Sequence, residues 1–240
     1  MVCQSNFNCI PSTTRRAWSR TSHATGLTLD RPVYRLSRMP TFQRLASVIG
    51  TRDRLIGAML HALRTKGFHG VGLSELLAHA QAPKGVLYHH FPGGKTELAI
   101  AAIDVVVEHI TTGLDALLAH HSDPVQALTG WLAEAQKALL GSGYEKGCPL
   151  ATIALESGAD DTLIRAAVAQ GFAAIRETLK RGLMRGGVNA DRAGSLATLI
   201  VSAYEGALIQ ARVAGNPKPL HDTSMTLLEI VRASLPGKEP

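Results

Sequence analysis

Apolar residues recur at intervals of three and four along most of the chain after residue 50. Such intervals place them on one face of an α-helix, so the pattern predicts amphipathic helices that each bury one side. The first apolar stripe consists of Leu55, Met59, Ala62 and Leu63. We expect this helix to begin with Thr51 as its N-cap and to be closed by Gly67 and Gly70.

Two short helices are predicted next, at about 73–80 and 84–91, and three residues separate them. Pro83 suits the first turn of the second helix, where a missing N–H is tolerated. Two short helices behind a longer one form a helix-turn-helix, whose second helix enters the major groove of DNA. Any three-helix bundle shares this geometry, however. The side chains of the second helix are therefore needed to distinguish a DNA-binding motif from an ordinary bundle.

The rest of the chain carries further apolar stripes and no strand-like alternation of useful length. These stripes predict six more helices, at about 95–121, 124–140, 149–156, 161–185, 191–214 and 221–235. The sequence therefore predicts an all-α fold. Small residues on one face of the penultimate helix and an apolar stripe on the last fit either packing within one chain or a helical dimer interface: Ser202, Ala203, Gly206, Ala207, Leu228, Val231 and Leu235.

Residues 1–46 differ from the rest, because they are rich in Ser, Thr and Arg and show no helical period. We predict a disordered basic extension. It superficially resembles an organellar transit peptide, and the interpretation that we favour is a non-essential basic arm or a translated leader with Met39 as the start. No stretch reaches the roughly 18 consecutive apolar residues of a membrane span, which favours a cytoplasmic protein without membrane contact.

Charge is distributed unevenly along the chain, whose net charge is +6. Residues 1–95 contain 13 basic and three acidic residues, whereas residues 96–240 contain 12 basic and 16 acidic residues. The extension alone supplies seven of the basic residues, but residues 47–95 still hold six basic residues against two acidic ones. The N-terminal part is therefore expected to face a polyanion such as DNA.

The second short helix has an inward side and an outward side. Leu87 and Phe91 are four residues apart and are expected to anchor it to the domain core. Its outward positions suit DNA: a lysine for phosphate or guanine, a glycine for close backbone approach, a valine for a thymine methyl, and two hydrogen-bonding rings. These positions are Lys84, Gly85, Val86, Tyr88 and His89.

At these residues the chain resembles the TetR family of transcriptional regulators. The resemblance is carried by AQAPKGVLYHHF at 80–91 and PGGKTELA at 92–99, and GCPLA at 147–151 is similar to the LmrA/YxaF-like branch. It implies a helix-turn-helix DNA-binding domain at 47–94 and a helical ligand-binding and dimerisation domain at 95–240. It also implies a homodimeric repressor that a small apolar or aromatic effector releases from a palindromic operator.

The resemblance implies DNA contacts for particular residues: Ser74, Lys84, Gly85, Val86, Tyr88, His89 and Lys95. Two positions depart from the family pattern. Gln81 stands where a turn glycine is usual, so we expect a slightly reshaped turn. Gly72 stands where a threonine usually opens the preceding helix. The side chain of Ser74 and the backbone amides are the two alternatives for the phosphate contact that the threonine would make.

The candidates for an effector cavity are the larger or softer side chains of the C-terminal part. Each of them fits core packing when taken singly, but apolar pockets with a few polar tips are how helical domains hold small ligands. They are Trp131, Tyr144, Cys148, Phe172 and Tyr204. The interpretation of Cys148 as a core residue is weighed against a redox or electrophile sensor, and we favour the core.

Other functions have less support in the sequence. An enzyme that uses Cys148 or a histidine lacks any nucleophile motif, phosphate loop or paired carboxylates, so neither an enzyme nor a cofactor is expected. Adjacent histidines on a helix point about 100° apart, and no metal site is expected from them. A constitutive architectural DNA-binding protein stays open as an alternative, although DNA binding alone does not need an acidic, apolar domain at 95–240.

Overall fold

The computed structural model describes residues 50–237. The predicted disordered extension and Met39 lie outside these residues. The described part contains helices and no strands, which confirms the all-α prediction. The helices are α1 (Thr51–Thr65), α2 (Leu73–Ala80), α3 (Lys84–His90), α4 (Gly94–His120), α5 (Pro124–Gly141), α6 (Pro149–Glu156), α7 (Thr162–Arg185), α8 (Ala190–Ala214) and α9 (Lys218–Ser234).

Helix ends follow local chemistry with small shifts from the sequence predictions. Gly50, and not Thr51, is the N-cap residue of α1. Gly67 closes that helix with φ +80°, a conformation that costs glycine little. The last helix begins at Lys218, three residues before the predicted start, and Pro219 stands in its first turn, where the missing amide is tolerated.

The first three helices enclose the start of one continuous core. Leu55, Met59 and Leu63 on α1 are completely buried. The Arg54 Nε donates to the Ala80 carbonyl at 3.1 Å, which ties α1 to the end of α2. The buried cluster then runs without a break into α4 and as far as Val231, so no gap in the core marks the predicted domain boundary after residue 94.

Helix α4 crosses the C-terminal bundle in close contact with α7, because glycines on α7 leave room for its side chains. A Cβ atom on Gly171 would lie 2.8 Å from Val107 Cγ2, and one on Gly182 would lie 2.5 Å from Leu118 Cδ2. Both distances are below ordinary van der Waals contact, so a larger residue at either glycine would force the α4 side chains Val107 and Leu118 to shift.

The apolar stripe of the last helix is used inside the protomer. Leu228 and Val231 are buried in the main core, and Ala207 of α8 is buried in a smaller cluster with Leu220. Packing within the protomer therefore accounts for Ala207, Leu228 and Val231. None of the helices in residues 50–237 is long and apolar enough to cross a membrane.

Candidate DNA interface and effector cavity

Helix α3 has the predicted inward anchor. Leu87 is fully buried and Phe91 is 2% exposed, which confirms the prediction made from their spacing. The guanidinium of Arg52 lies 5.5 Å from the Phe91 ring centroid, so α1 covers this anchor from the outside. Seven residues would not hold a helix on their own, and these contacts supply the stability that propensity cannot.

The opposite side of α3 is open. Lys84, Gly85 and His89 are exposed, Tyr88 is 46% exposed and Val86 is half-buried. A Cβ atom on Gly85 would meet nothing within 4 Å, so packing within the protomer does not require a glycine there. Ser74, the remaining predicted contact on the preceding helix, is also exposed.

The turn before α3 keeps a left-handed residue although no glycine is present. Gln81 has φ 51° and ψ 46°, and its amide donates to the Ala78 carbonyl at 3.1 Å. A left-handed conformation costs a residue with a Cβ atom about 1–2 kcal/mol. The turn therefore keeps the backbone conformation that a glycine would adopt at this position. Gln81, which stands where a glycine is usual, is strained as a result.

Lys95 is engaged with the protein itself. Its Nζ donates to the carbonyls of Phe68 and Val71, each at 2.6 Å, and it lies 4.5 Å from the Phe68 ring centroid. Burial lowers the pKa of the ammonium, and the nearby carboxylate of Glu156 acts in the opposite direction. Lysine has three donors, so one N–H beyond these two bonds is left for a phosphate.

Glu97 takes up one of the backbone amides at the start of α4. Its Oε2 accepts the backbone amide of Gly93 at 2.7 Å. The Tyr88 ring also lies against this turn, because a Cβ on Gly94 would be 3.4 Å from Tyr88 Cε1. The start of α4 is thus fixed to the outward face of α3 by direct packing.

The histidine pairs form ring contacts and not metal clusters. His89 and His90 have ring centroids 5.0 Å apart, and those of His120 and His121 are 4.8 Å apart. No group of three or more His, Cys, Asp or Glu side chains in the described part of the chain could hold a metal ion.

A cavity of about 540 Å³ lies in the C-terminal bundle, bounded by α4, α5, α8 and the loop before α6. Its volume is in the range of sites for small organic ligands. Apolar side chains form most of its wall, and titratable groups interrupt that wall at seven positions. These are Arg64, His109, Glu134, Lys146, Cys148, Tyr204 and Glu205.

Three of the five predicted cavity residues line this space: Trp131, Cys148 and Tyr204. The rings of Trp131 and Tyr204 are in contact, with centroids 4.8 Å apart and planes inclined by 46°. Tyr144 and Phe172 are not in the lining, which corrects the expectation for them. Tyr144 packs on the small cluster around Leu139, and Phe172 packs on the main core.

Glu205 is the functional candidate that sequence reasoning missed. Its Oε2 is buried without a hydrogen-bond partner among the described residues, and burial raises the pKa of its carboxyl to about 7. A signal was present in the sequence, because residue 205 follows Val201 by four positions and precedes Leu208 by three. An acid on such an apolar face is unusual unless something pairs with it.

Cys148 lies beside this carboxyl. Burial, and then the charge of Glu205, raise the pKa of the thiol above its ordinary value. The thiolate is the reactive form of cysteine, and these surroundings disfavour it. The geometry therefore favours a packing role over a sensor role for Cys148.

The cavity wall is connected by hydrogen bonds to the first three helices. The Gly147 amide donates to the Arg64 carbonyl in the last turn of α1 at 3.3 Å. At the other end of α6, Glu156 Oε2 accepts the His69 amide at 3.1 Å. The short helix α6 thus joins the cavity to the loop that follows α1.

Comparisons with known proteins agree with this arrangement. Residues 55–102 match the family described as bacterial regulatory proteins, tetR family, and residues 124–226 match the C-terminal domain of LmrA/YxaF-like transcriptional regulators. The chain is 30% identical over 194 residues to an uncharacterized HTH-type transcriptional regulator of Mycobacterium tuberculosis, covering 79% of this chain and 98% of that protein.

Two further matches extend the likeness. The HTH-type transcriptional regulator LmrA of Bacillus subtilis is 25% identical over 182 residues, which cover 76% of this chain and 97% of LmrA. The crystal structure of regulatory protein TetR from Rhodobacter sphaeroides superposes with a TM-score of 0.68 at 27% identity. That match covers 75% of this chain and 97% of the other.

Proposed function

The chain belongs to the TetR family of DNA-binding transcriptional regulators, and from this premise we propose that it is a homodimeric cytoplasmic repressor. In this proposal a small apolar or aromatic effector releases it from a palindromic operator. The observation that carries the proposal is the pairing of an open α3 face with a cavity of about 540 Å³ in the same continuous core. A constitutive architectural protein would not need that cavity.

The outward face of α3 supports the DNA-binding part. Lys84 supplies a charge for a phosphate or a guanine edge, and Tyr88 and His89 supply hydrogen bonds. Gly85 leaves space for close approach of the sugar-phosphate backbone. In this proposal Ser74, Val86 and the third N–H of Lys95 complete the contacts with the same groove.

An exposed apolar stripe on α8 supports the dimer. Leu199 is 42% exposed, Ile209 is 44% exposed and Val213 is 84% exposed, and they share one helix face with Ser202 and Gly206. A Cβ on Gly206 would meet nothing within 4 Å, so this glycine serves no contact inside the protomer. A second copy is the occupant that we propose, since two α3 helices about 34 Å apart would then read a near-palindrome.

Release follows if the effector binds better to a dimer whose α3 helices have the wrong separation. Helix α4 begins beside Tyr88 and contributes His109 and Gly113 to the cavity wall. Movement of the α4 segment at the cavity would therefore be transmitted to the start of the same helix, where α3 rests.

The testing experiment begins with selection of bound DNA from a random pool by the purified protein. The selected sequence should be a near-palindrome. Lys84→Ala and Tyr88→Ala should each weaken binding to it by about tenfold or more, because each removes a contact worth about 1–3 kcal/mol. Lys137→Ala, which removes an exposed lysine on α5, is the matched control and should bind normally.

The same selected DNA tests release. Small aromatic compounds are screened for loss of the protein–DNA complex. A compound that acts through the cavity should also quench tryptophan fluorescence, and this quenching should be absent in a Trp131→Phe variant, which keeps only Trp18. Normal binding by both α3 variants would refute the assignment of the DNA interface. If a compound dissociated the protein–DNA complex without binding in the cavity, the proposed effector site would be refuted.

A further inference from the structure

We propose that the effector is an arylalkylamine, an aliphatic amine carried on an aromatic skeleton, whose protonated nitrogen pairs with the carboxylate of Glu205 inside the cavity. This inference rests on the proposed function, because it names the chemical class of the molecule that would fill the effector site.

The position of Glu205 is the first argument. It lies on α8 and lines the cavity, yet its Oε2 is buried and has no hydrogen-bond partner within residues 50–237. A buried polar atom without a partner lowers stability, and a ligand that supplies the missing donor removes that cost. A positively charged donor makes the strongest such bond with a carboxylate.

The groups that act on this carboxyl are the second argument. Burial raises its pKa to about 7, and the neighbouring Cys148 thiol acts in the opposite direction. Among the described residues no arginine or lysine offsets the burial. An ammonium group from a ligand would supply the missing positive charge and would favour the ionised carboxylate.

The aromatic wall is the third argument. Tyr204 precedes Glu205 in the chain and contacts the Trp131 ring, so two ring faces lie in the same cavity as the carboxylate. Aromatic rings pack against an aromatic ligand body, and their faces attract a cation. An apolar skeleton that carries one ammonium group matches both features together.

Other charges also face the cavity and have to be weighed. Lys146, His109 and Glu134 are exposed, so water and salt screen them. Arg64 is half-buried and acts on the Tyr204 hydroxyl, whose pKa burial and Glu205 raise. An acidic ligand held by Arg64 and Lys146 is the alternative that the experiment has to distinguish.

Three probes with one biphenyl skeleton separate these cases: para-phenylbenzylamine, para-phenylbenzyl alcohol and para-phenylbenzoate. Their affinities for the purified full-length protein are measured by calorimetry at pH 8. Tryptophan quenching that is lost in a Trp131→Phe variant reports on binding in the cavity. We expect the amine to bind at least about tenfold more tightly than the alcohol, as charge-assisted bonds do. The benzoate should bind most weakly.

Glu205→Gln keeps the shape of the side chain and removes its charge. In this variant the amine should lose its tenfold advantage, while the alcohol keeps its affinity. Glu177→Gln, an exposed acid on α7 outside the cavity, is the matched control and should behave as wild type. Circular dichroism spectra of both variants verify that they are folded.

A pH series adds an independent readout. Between pH 6 and pH 8 the ionised fraction of a carboxyl with a pKa of about 7 rises about tenfold, and the affinity for the amine should rise with it. The Glu205→Gln variant should lose most of this dependence. Any part that it retains would come from the other titratable groups that face the cavity, His109 first among them.

The outcomes separate the two proposals. If the alcohol binds as tightly as the amine, or if Glu205→Gln keeps the preference for the amine, the amine inference is overturned and a ligand cavity still stands. If the benzoate binds most tightly, the effector is acidic and the inference is wrong. If none of the three probes binds to the wild-type protein, the effector part of the proposed function fails together with the inference.

Discussion

The carboxylate of Glu156 lies directly over Gly67, so that a Cβ atom on this glycine would be 1.4 Å from Glu156 Oε1. Glu156 is the last residue of α6, and Gly67 is in the turn that closes α1 with φ +80°. Two helices therefore meet at a position where glycine is strongly favoured, because a side chain would be strained by the backbone and would displace Glu156. This contact joins the wall of the cavity to the DNA-binding helices.

Gly67→Ala should destabilise the protein by about 2 kcal/mol or more. The left-handed conformation costs alanine about 1–2 kcal/mol, and displacement of Glu156 removes its bond to the His69 amide. Gly57→Ala is the matched control, because Gly57 is exposed within α1 and its Cβ would meet nothing within 4 Å. The control should be more stable than wild type by about 0.5–1 kcal/mol. Urea unfolding midpoints measure both, and equal midpoints would contradict the contact.

Gly85→Ala separates folding from DNA binding. The glycine is exposed within α3 and its Cβ would meet nothing within 4 Å, so alanine should stabilise the helix by about 0.5–1 kcal/mol. If the DNA backbone approaches this position closely, the same methyl group should weaken operator binding by about tenfold. Stability is followed by thermal unfolding and affinity by gel shift on the selected DNA. Undiminished affinity in the stabilised variant would remove Gly85 from the interface.

The inward anchor of α3 could be predicted from the sequence, because the helical period alone places Leu87 and Phe91 on one side. The hydrogen-bond partners of Lys95 could not be predicted in this way. Its two carbonyl acceptors are 24 and 27 residues earlier in the chain, and only the tertiary fold brings them to the ammonium. Sequence period shows which side of one helix is apolar, but it does not show which neighbour that side meets.

The cavity illustrates the same limit. Phe172 and Tyr204 both occupy apolar positions of long helices, but the rotation of α7 directs Phe172 to the main core while α8 directs Tyr204 to the cavity. Glu205 was accessible to sequence reasoning as an acid on an apolar face. That its buried oxygen has no partner could be seen only in the folded structure, because the sequence does not show which basic residues lie near it.

Gln81→Gly should stabilise the protein. Glycine removes the left-handed strain of about 1–2 kcal/mol from the folded state. Its greater freedom in the unfolded chain costs about 0.5–1 kcal/mol, so the expected net gain in stability is about 0.5–1 kcal/mol. Gln81→Ala keeps the Cβ atom and should give no gain, which makes it the control. Calorimetric unfolding of both variants tests the difference. Equal stability of the two would show that Gln81 is not strained.

Ile209→Asp tests the α8 stripe as the dimer face. A charge buried between two copies is costly unless it is paired, so the variant should shift toward monomer at micromolar concentration. Leu163→Asp places the same change at an exposed apolar residue of α7, 67% exposed, and should stay dimeric. Sedimentation analysis gives both association states. If the Ile209→Asp protein stayed dimeric, or if the Leu163→Asp control became monomeric, the assignment of the dimer interface to α8 would be contradicted.

Glu205 should make stability depend on pH in a direction that can be worked out. Its folded pKa of about 7 is above the ordinary value of 4.5 for an exposed glutamate. Between these two pH values the folded state therefore holds a proton that the unfolded state has lost. Stability is therefore highest below pH 4.5 as far as this group is concerned, and it is lost as the pH rises through 7. Each pKa unit corresponds to about 1.4 kcal/mol, which sets an upper limit of about 3.5 kcal/mol for the loss. Glu205→Gln cannot lose the proton, so its melting temperature should exceed that of wild type at pH 8 and approach it at pH 5. A difference between the two proteins that stays constant from pH 5 to pH 8 would show that the carboxyl titrates normally.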